Sequence, residues 1–182
     1  MDILITKRLT LRPPLEVDTE TITLHLQNER VARFLTGVPA NYALDDARTW
    51  IERTMSDPDI HNFTIHSNVM MGVVGLRSIE DRPDFGYWLA EPFWGRGYMS
   101  EAAEAVLRHM FARYDFNEIA SGAYQDNPAS HRVLEKLGFV PTDETHQHFC
   151  PTRGCEVPCN RVSLTRAGFE ARFGAVGETK AA

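Results

Sequence analysis

The sequence predicts one mixed α/β (α+β) domain, and three observations predict it. Short runs such as Ile3–Arg12, Phe63–His66 and Phe85–Leu89 alternate apolar and polar residues as strands do, whereas Glu101–Tyr114 and Asn127–Leu137 repeat their apolar residues at helical spacing. The two kinds of segment follow one another as strand, two or three helices, three strands, helix, strand, helix and two strands. No internal repeat and no Pro/Gly/Ser-rich linker divides the chain, and 182 residues suit one domain spanning 1–182.

Each element has a local cause. Ile3, Ile5, Leu9 and Leu11 alternate against charges and stop at Pro13-Pro14, whose rings end strand pairing. Residues 16–35 carry Val17, Ile22, Leu24, Leu26, Val31, Phe34 and Leu35 at mixed helical spacing, one broken helix or two short ones. Asp45–Met55 reads as a helix closed by Asp57-Pro58. Phe63–His66, Val69–Ile79 and Phe85–Leu89, separated by polar turns, predict an antiparallel meander. In Glu101–Tyr114 one stripe carries Ala103, Val106, Leu107, Met110, Phe111 and Tyr114. Asn117–Ala123 follows as a strand. Asn127 as N-cap, Pro128 at the first helical position and Gly138 past the end delimit the next helix. Phe139–Phe149 and Val157–Thr165 are the closing strands, Arg166–Phe173 a short helix, and 174–182 a frayed tail. Trp50, Trp88, Phe85 and Phe111 are expected in the core.

Composition narrows the function. With 19 Lys+Arg against 25 Asp+Glu the net charge is −6, which argues against nucleic acid as a partner and leaves room for cationic ligands. Hydrophobic residues make up 43% and charged residues 24%, as in a globular protein and unlike a disordered chain. The longest run without a polar residue, Val69–Leu76, is far too short to span a bilayer, so no membrane role is expected. Nothing at the start reads as a signal peptide, and 3 cysteines make no disulfide framework, so the cytoplasm is the expected compartment.

The chemistry concentrates in Tyr87-Trp88-Leu89-Ala90-Glu91-Pro92-Phe93-Trp94-Gly95-Arg96-Gly97-Tyr98-Met99-Ser100-Glu101. A strand ends, a Gly-x-Gly loop turns, and a helix begins. Glycines allow successive amides to converge on an anion, and the helix N-terminus adds unpaired donors and positive potential, so the segment suits a pyrophosphate; a plain strand-to-helix turn would use the same glycines. Walker A is excluded because no Gly-Lys pair occurs. The dinucleotide fingerprint is excluded because Ser100 stands where its third glycine would be. A second constellation, Asn127-Pro128-Ala129-Ser130, puts the Ser130 hydroxyl on the stripe of Val133, Leu134 and Leu137, where it needs a partner; local capping would also account for Asn127.

In order and together, TKRLTLRPP, DFGYWLAEPFWGRGYMSEA and NPASHRVLEKLGF resemble the GNAT N-acetyltransferase superfamily, in the branch similar to ribosomal-protein N-terminal acetyltransferases, over Thr6 to Leu164. The resemblance implies a mostly antiparallel sheet of about seven strands flanked by helices, splayed between the fourth and fifth strands to admit acetyl-CoA as acetyl donor. It implies that Trp94, Gly95, Arg96, Gly97, Tyr98 and Met99 cradle the pyrophosphate. The edge at Trp88, Leu89 and Ala90 would pair with the pantetheine arm, Asn127 would bond it, and Ser130 would stand near the sulfur. Pro92 departs from the superfamily's Gln or Arg at that place, which removes one phosphate contact.

The implied reaction is direct attack of a primary amine on the thioester within a ternary complex, with Ser130 returning a proton to the thiolate. The acceptor is left open among a protein N-terminus, a polyamine, an aminoglycoside and a small metabolite amine. Asp84 and Glu101 are the candidate catalytic carboxylates. Asp84 also suits a turn, Glu101 also suits the helix dipole, and Glu144 and His146 are further possibilities. His146, His148, Cys150, Cys155 and Cys159 lie close in sequence but lack a Cys-x2-Cys knuckle, so no metal is expected. A non-catalytic acyl-CoA-binding module is the rival reading, and a nucleotide-binding protein a third. The expected assembly is a monomer or a homodimer.

Overall fold

The structure is a computed structural model and describes residues 2–177. The elements run β1 (Leu4–Ile5), β2 (Thr10–Arg12), a 3-10 turn (Glu16–Asp18), α1 (Thr19–Leu26), α2 (Glu29–Ala32), α3 (Leu44–Ser56), β3 (Ile60–His66), β4 (Met70–Arg77), β5 (Asp84–Leu89), a second 3-10 turn (Glu91–Phe93), α4 (Tyr98–Arg113), β6 (Glu118–Tyr124), α5 (Pro128–Leu137), β7 (Val140–Cys150), β8 (Cys155–Thr165) and α6 (Arg166–Phe173). All eight strands form one open sheet in the order β1-β2-β3-β4-β5-β6-β8-β7. Every neighbouring pair is antiparallel except β5 and β6.

The sheet has eight strands where about seven were expected because the opening segment is two strands. Thr6 closes the turn between them: its amide donates to the Leu9 carbonyl at 2.9 Å and its hydroxyl accepts from the Leu9 amide at 3.0 Å. The meander β3-β4-β5 forms as expected, but β4 stops at Arg77, two residues early, where Ser78 takes a positive φ of 56°. α4 starts at Tyr98, three residues before the expected Glu101 and directly after the left-handed Gly97. The tail expected at 174–182 is without helix or strand over 174–177, and 178–182 lie outside the described residues.

Strand alternation sends side chains to two cores. On one face α4, α5 and α6 cover Leu11, Phe63, Val74, Phe85, Ile119 and Leu164 with Val106, Met110, Phe111, Leu134 and Phe169. On the other, Ile22, Leu26, Ala47 and Ile51 of α1 and α3 pack on Met70 and Val73. Phe85 and Phe111 are buried as expected, whereas Trp50 and Trp88 are half-buried at the margin of the second core. Among the described residues no helix is long and apolar enough to cross a membrane.

Candidate active site

The sheet is interrupted between β5 and β6. These parallel strands share a single pairing, Asp84 with Ala120, fixed by the Ala120 amide on the Pro83 carbonyl at 2.8 Å. One residue on, the Ser121 hydroxyl donates to the Phe85 carbonyl at 2.8 Å, a side chain standing in for a ladder bond. Beyond that the strands part. Pro83 and Phe85 direct their carbonyls toward β6, and the Ala90 amide bonds Met71 on the β4 side at 2.8 Å. Alternation therefore turns the main-chain groups of Tyr87 and Leu89 into the splay, and those of Trp88 and Ala90 toward β4. Of the expected edge Trp88–Ala90, only Leu89 presents its backbone to the opening.

The loop after β5 stands at the mouth of this splay. Gly95 and Gly97 take φ of 73° and 76°, the left-handed region that a side chain strains, and the exposed segment Trp94–Gly97 leads straight into α4. Gly97 is the N-cap and offers no side-chain cap, so the first amides of the helix point outward unshielded. Donors and helix dipole are aligned there as in loops that can hold an anion. Trp94 is anchored by its indole N–H on the Leu89 carbonyl at 2.6 Å, and the residue is 39% exposed.

Sequence reading missed the residue that braces this loop. Arg8 donates from Nε to Glu101 Oε2 at 2.6 Å and from Nη1 to the Arg96 carbonyl at 3.0 Å, and lies over the Tyr98 ring at 4.5 Å. The Glu101 carboxylate also accepts from the Thr6 hydroxyl at 2.6 Å and the Arg8 amide at 2.9 Å. Burial works against its ionisation, but the bonds from Thr6 and Arg8 outweigh burial and hold it below the usual carboxyl range. The geometry thus gives Glu101 the role of a brace between the first hairpin and the loop.

The opposite wall is the start of α5. The Asn127 side chain accepts from the Ser130 amide at 3.1 Å, and the Asn127 amide bonds the Tyr124 carbonyl at 2.9 Å. The Ser130 hydroxyl finds its partner across the opening: Tyr87 Oη lies 2.7 Å from Ser130 Oγ and donates to the Ser130 carbonyl at 3.2 Å. Burial raises the Tyr87 phenol far above its ordinary range, with the Ser130 bond opposing it, so the phenol is neutral. No sequence signal pointed to Tyr87, because its partner lies 43 residues away.

Asp84 sits at the closed end, on the face opposite α4. Both its oxygens are engaged, Oδ1 by Arg161 at 2.8 Å and Oδ2 by Arg77 at 2.8 Å. Asp84 thus bridges two guanidinium groups. Glu144 is exposed and pairs with His146 at 3.5 Å and Arg82 at 3.8 Å. Between Asp84 and Trp88 the exposed Gly86 would meet nothing within 4 Å of an added Cβ, so the sheet floor is open there. Burial lowers His148, helped by His146, Arg161 and Arg77. Among the described residues, no group of three or more His, Cys, Asp or Glu is placed to hold a metal ion.

The comparisons agree with this geometry. Residues 8–140 match the acetyltransferase (GNAT) domain. The chain is 31% identical over 140 residues to the Probable N-acetyltransferase YjcK of Bacillus subtilis (strain 168), covering 69% of this chain and 77% of that protein. It is 23% identical over 149 residues to the ribosomal-protein-serine acetyltransferase of Escherichia coli (strain K12), covering 67% and 80%. In fold it is similar to RimL, a ribosomal L7/L12 alpha-N-protein acetyltransferase solved with coenzyme A: TM-score 0.79, 22% identity, 90% of this chain and 98% of that one. The chain therefore belongs to the GNAT acetyltransferase family and is an N-acetyltransferase.

Proposed function

We propose that acetyl-CoA is the donor and a protein N-terminal α-amine the acceptor. The observation that carries the donor is the unpaired edge at Tyr87 and Leu89 beside an uncapped helix N-terminus. An extended pantetheine arm can take the place of the missing strand while its diphosphate lies on the amides of Gly97–Met99, and Asn127 and Ser130 close the other side. The Leu89 N–H is then available to the thioester oxygen as negative charge develops.

The choice of acceptor rests on the carboxylates. Asp84, Glu101 and Glu144 each already have a cationic partner. An amine that needs little help fits such a site: with a pKa of ~8, about a tenth of an α-amine is neutral at pH 7, whereas a lysine at ~10.4 is almost wholly charged. Relatives named for ribosomal-protein and alpha-N-protein acetylation support the same reading. In the reaction the amine nitrogen attacks the thioester carbonyl, and the carbon–sulfur bond breaks as the tetrahedral adduct collapses. The ammonium proton passes to solvent, and Ser130 gives its hydroxyl proton to the departing thiolate while solvent re-protonates the Ser130–Tyr87 hydroxyl pair.

A thiol-release assay tests this over a panel of N-terminal peptides with free or blocked α-amines, with and without an internal lysine. Release that depends on the α-amine supports the proposal. Calorimetric binding of CoA with no acceptor-dependent release would favour the non-catalytic module instead.

A further inference from the structure

We infer that Cys150 and Cys155 form a redox-modifiable thiol pair, closed to a disulfide by low-molecular-weight disulfides. The two residues are direct partners in the β7–β8 ladder, at the end where the turn 151–154 joins the strands. Antiparallel partners have Cα atoms about 4.5–5.5 Å apart with side chains on one face, inside the roughly 4.4–6.8 Å that a disulfide spans. Both thiols are free, Cys155 exposed and Cys150 fully buried. This asymmetry suits a two-step exchange, with an accessible thiol that is attacked first and a sheltered one that resolves it.

The steps balance. The Cys155 thiolate attacks one sulfur of the oxidant RSSR and expels RS⁻. The Cys150 thiol gives up its proton to that RS⁻ and attacks the Cys155 sulfur, expelling the second RS⁻, which takes a proton from solvent. The protein loses two electrons and the oxidant becomes two RSH. The pair touches the end of α2: the reduced Cys150 thiol donates to the Arg33 carbonyl at 3.5 Å, beside Phe34. Oxidation removes that donor and leaves the Arg33 carbonyl to Arg153 Nε at 2.7 Å.

The chemistry is read independently of acetyl transfer. The native full chain is incubated with oxidised glutathione, free thiols are alkylated after transfer to denaturant, and the chain is cut with trypsin, which cleaves after Arg153 between the two cysteines. The expected result is a loss of two alkylatable thiols and a link between the peptide carrying Cys150 and the one carrying Cys155 and Cys159, with Cys159 alkylated. The link persists in Cys159→Ser and vanishes in Cys155→Ser. A stable glutathione adduct on Cys155 with Cys150 still alkylated, or a link made through Cys159, overturns the inference.

Discussion

Tyr87 and Ser130, from a strand and a helix that share no backbone pairing, meet through their hydroxyls at 2.7 Å across the splay. Ser130→Ala is expected to lower kcat by ~10²-fold, the low end of a general-acid contribution, with CoA affinity little changed. Tyr87→Phe should have a smaller effect, because solvent can serve the serine. Steady-state kinetics and calorimetry on both variants check this. An unaltered kcat in Ser130→Ala removes the proton-donor role.

Glu101 joins the first hairpin to the start of α4 through Arg8 and Thr6. Glu101→Gln is expected to lose about 1–2 kcal/mol of stability, as for a charge-assisted hydrogen bond lost. Its folded pKa is lowered, so its contribution is present above the ordinary carboxyl range and fades as pH falls through the folded value. Urea midpoints of wild type and variant should therefore converge on acidification. CoA affinity should weaken in the variant at neutral pH.

Gly97→Ala places a side chain on a φ of 76°, at an expected ~1–2 kcal/mol of strain. The added methyl would lie 3.6 Å from Arg8 Nη2, an ordinary contact, so the penalty is backbone strain and not a clash. Because the loop can relieve it only by turning its amides, CoA affinity should fall along with thermal stability. Calorimetry and thermal melts report the two effects separately.

Asp84→Asn separates the ion-pair role from the proton-accepting one. The variant leaves Arg161, whose side chain is only 14% exposed, without its carboxylate partner. A loss of about 3 kcal/mol is expected, the lower bound for breaking a buried pair. Turnover per folded molecule should stay within tenfold of wild type, since general-base loss would remove ~10²–10⁴. Kinetics normalised to folded protein settle which role holds.

Five histidines, His25, His61, His66, His109 and His148, have folded pKa values lowered chiefly by burial. Below the ordinary value of 6.5 the unfolded chain binds protons that the folded chain resists. Stability is thus complete above that value and is lost as pH falls toward the depressed ones. The urea midpoint should drop between pH 7.5 and 5.5. His61→Gln should flatten that slope, because His61 is half-buried against the Tyr114 hydroxyl at 2.7 Å.

What could be read from the chain was whatever a local pattern writes down. α5 was delimited within a residue because Asn127, Pro128 and Gly138 each have a conformational reason to stand where they do. The loop at Gly95 and Gly97 was visible because two glycines between a strand and a helix form a local statement. Arg8 and Tyr87 were invisible for the opposite reason. Their partners lie 93 and 43 residues away, and only packing brings them together. The proton-accepting role considered for Asp84 rests on its place at the start of a strand, whereas the two arginines beside it stand 7 and 77 residues away, where no spacing rule puts them. The split of the opening strand turned on Thr6, a residue whose hydroxyl competes with the ladder for a backbone amide.

The parting of β5 from β6 has a thermodynamic corollary. A guest that lies in that gap breaks no ladder bond to enter, since the seam beyond Ala120 was never zipped. Association exchanges solvent on two strand-edge amides for guest on the same amides, and the framework on either side can keep its shape. The fold is thus one strand short by construction, and occupancy completes the sheet without having to remodel it.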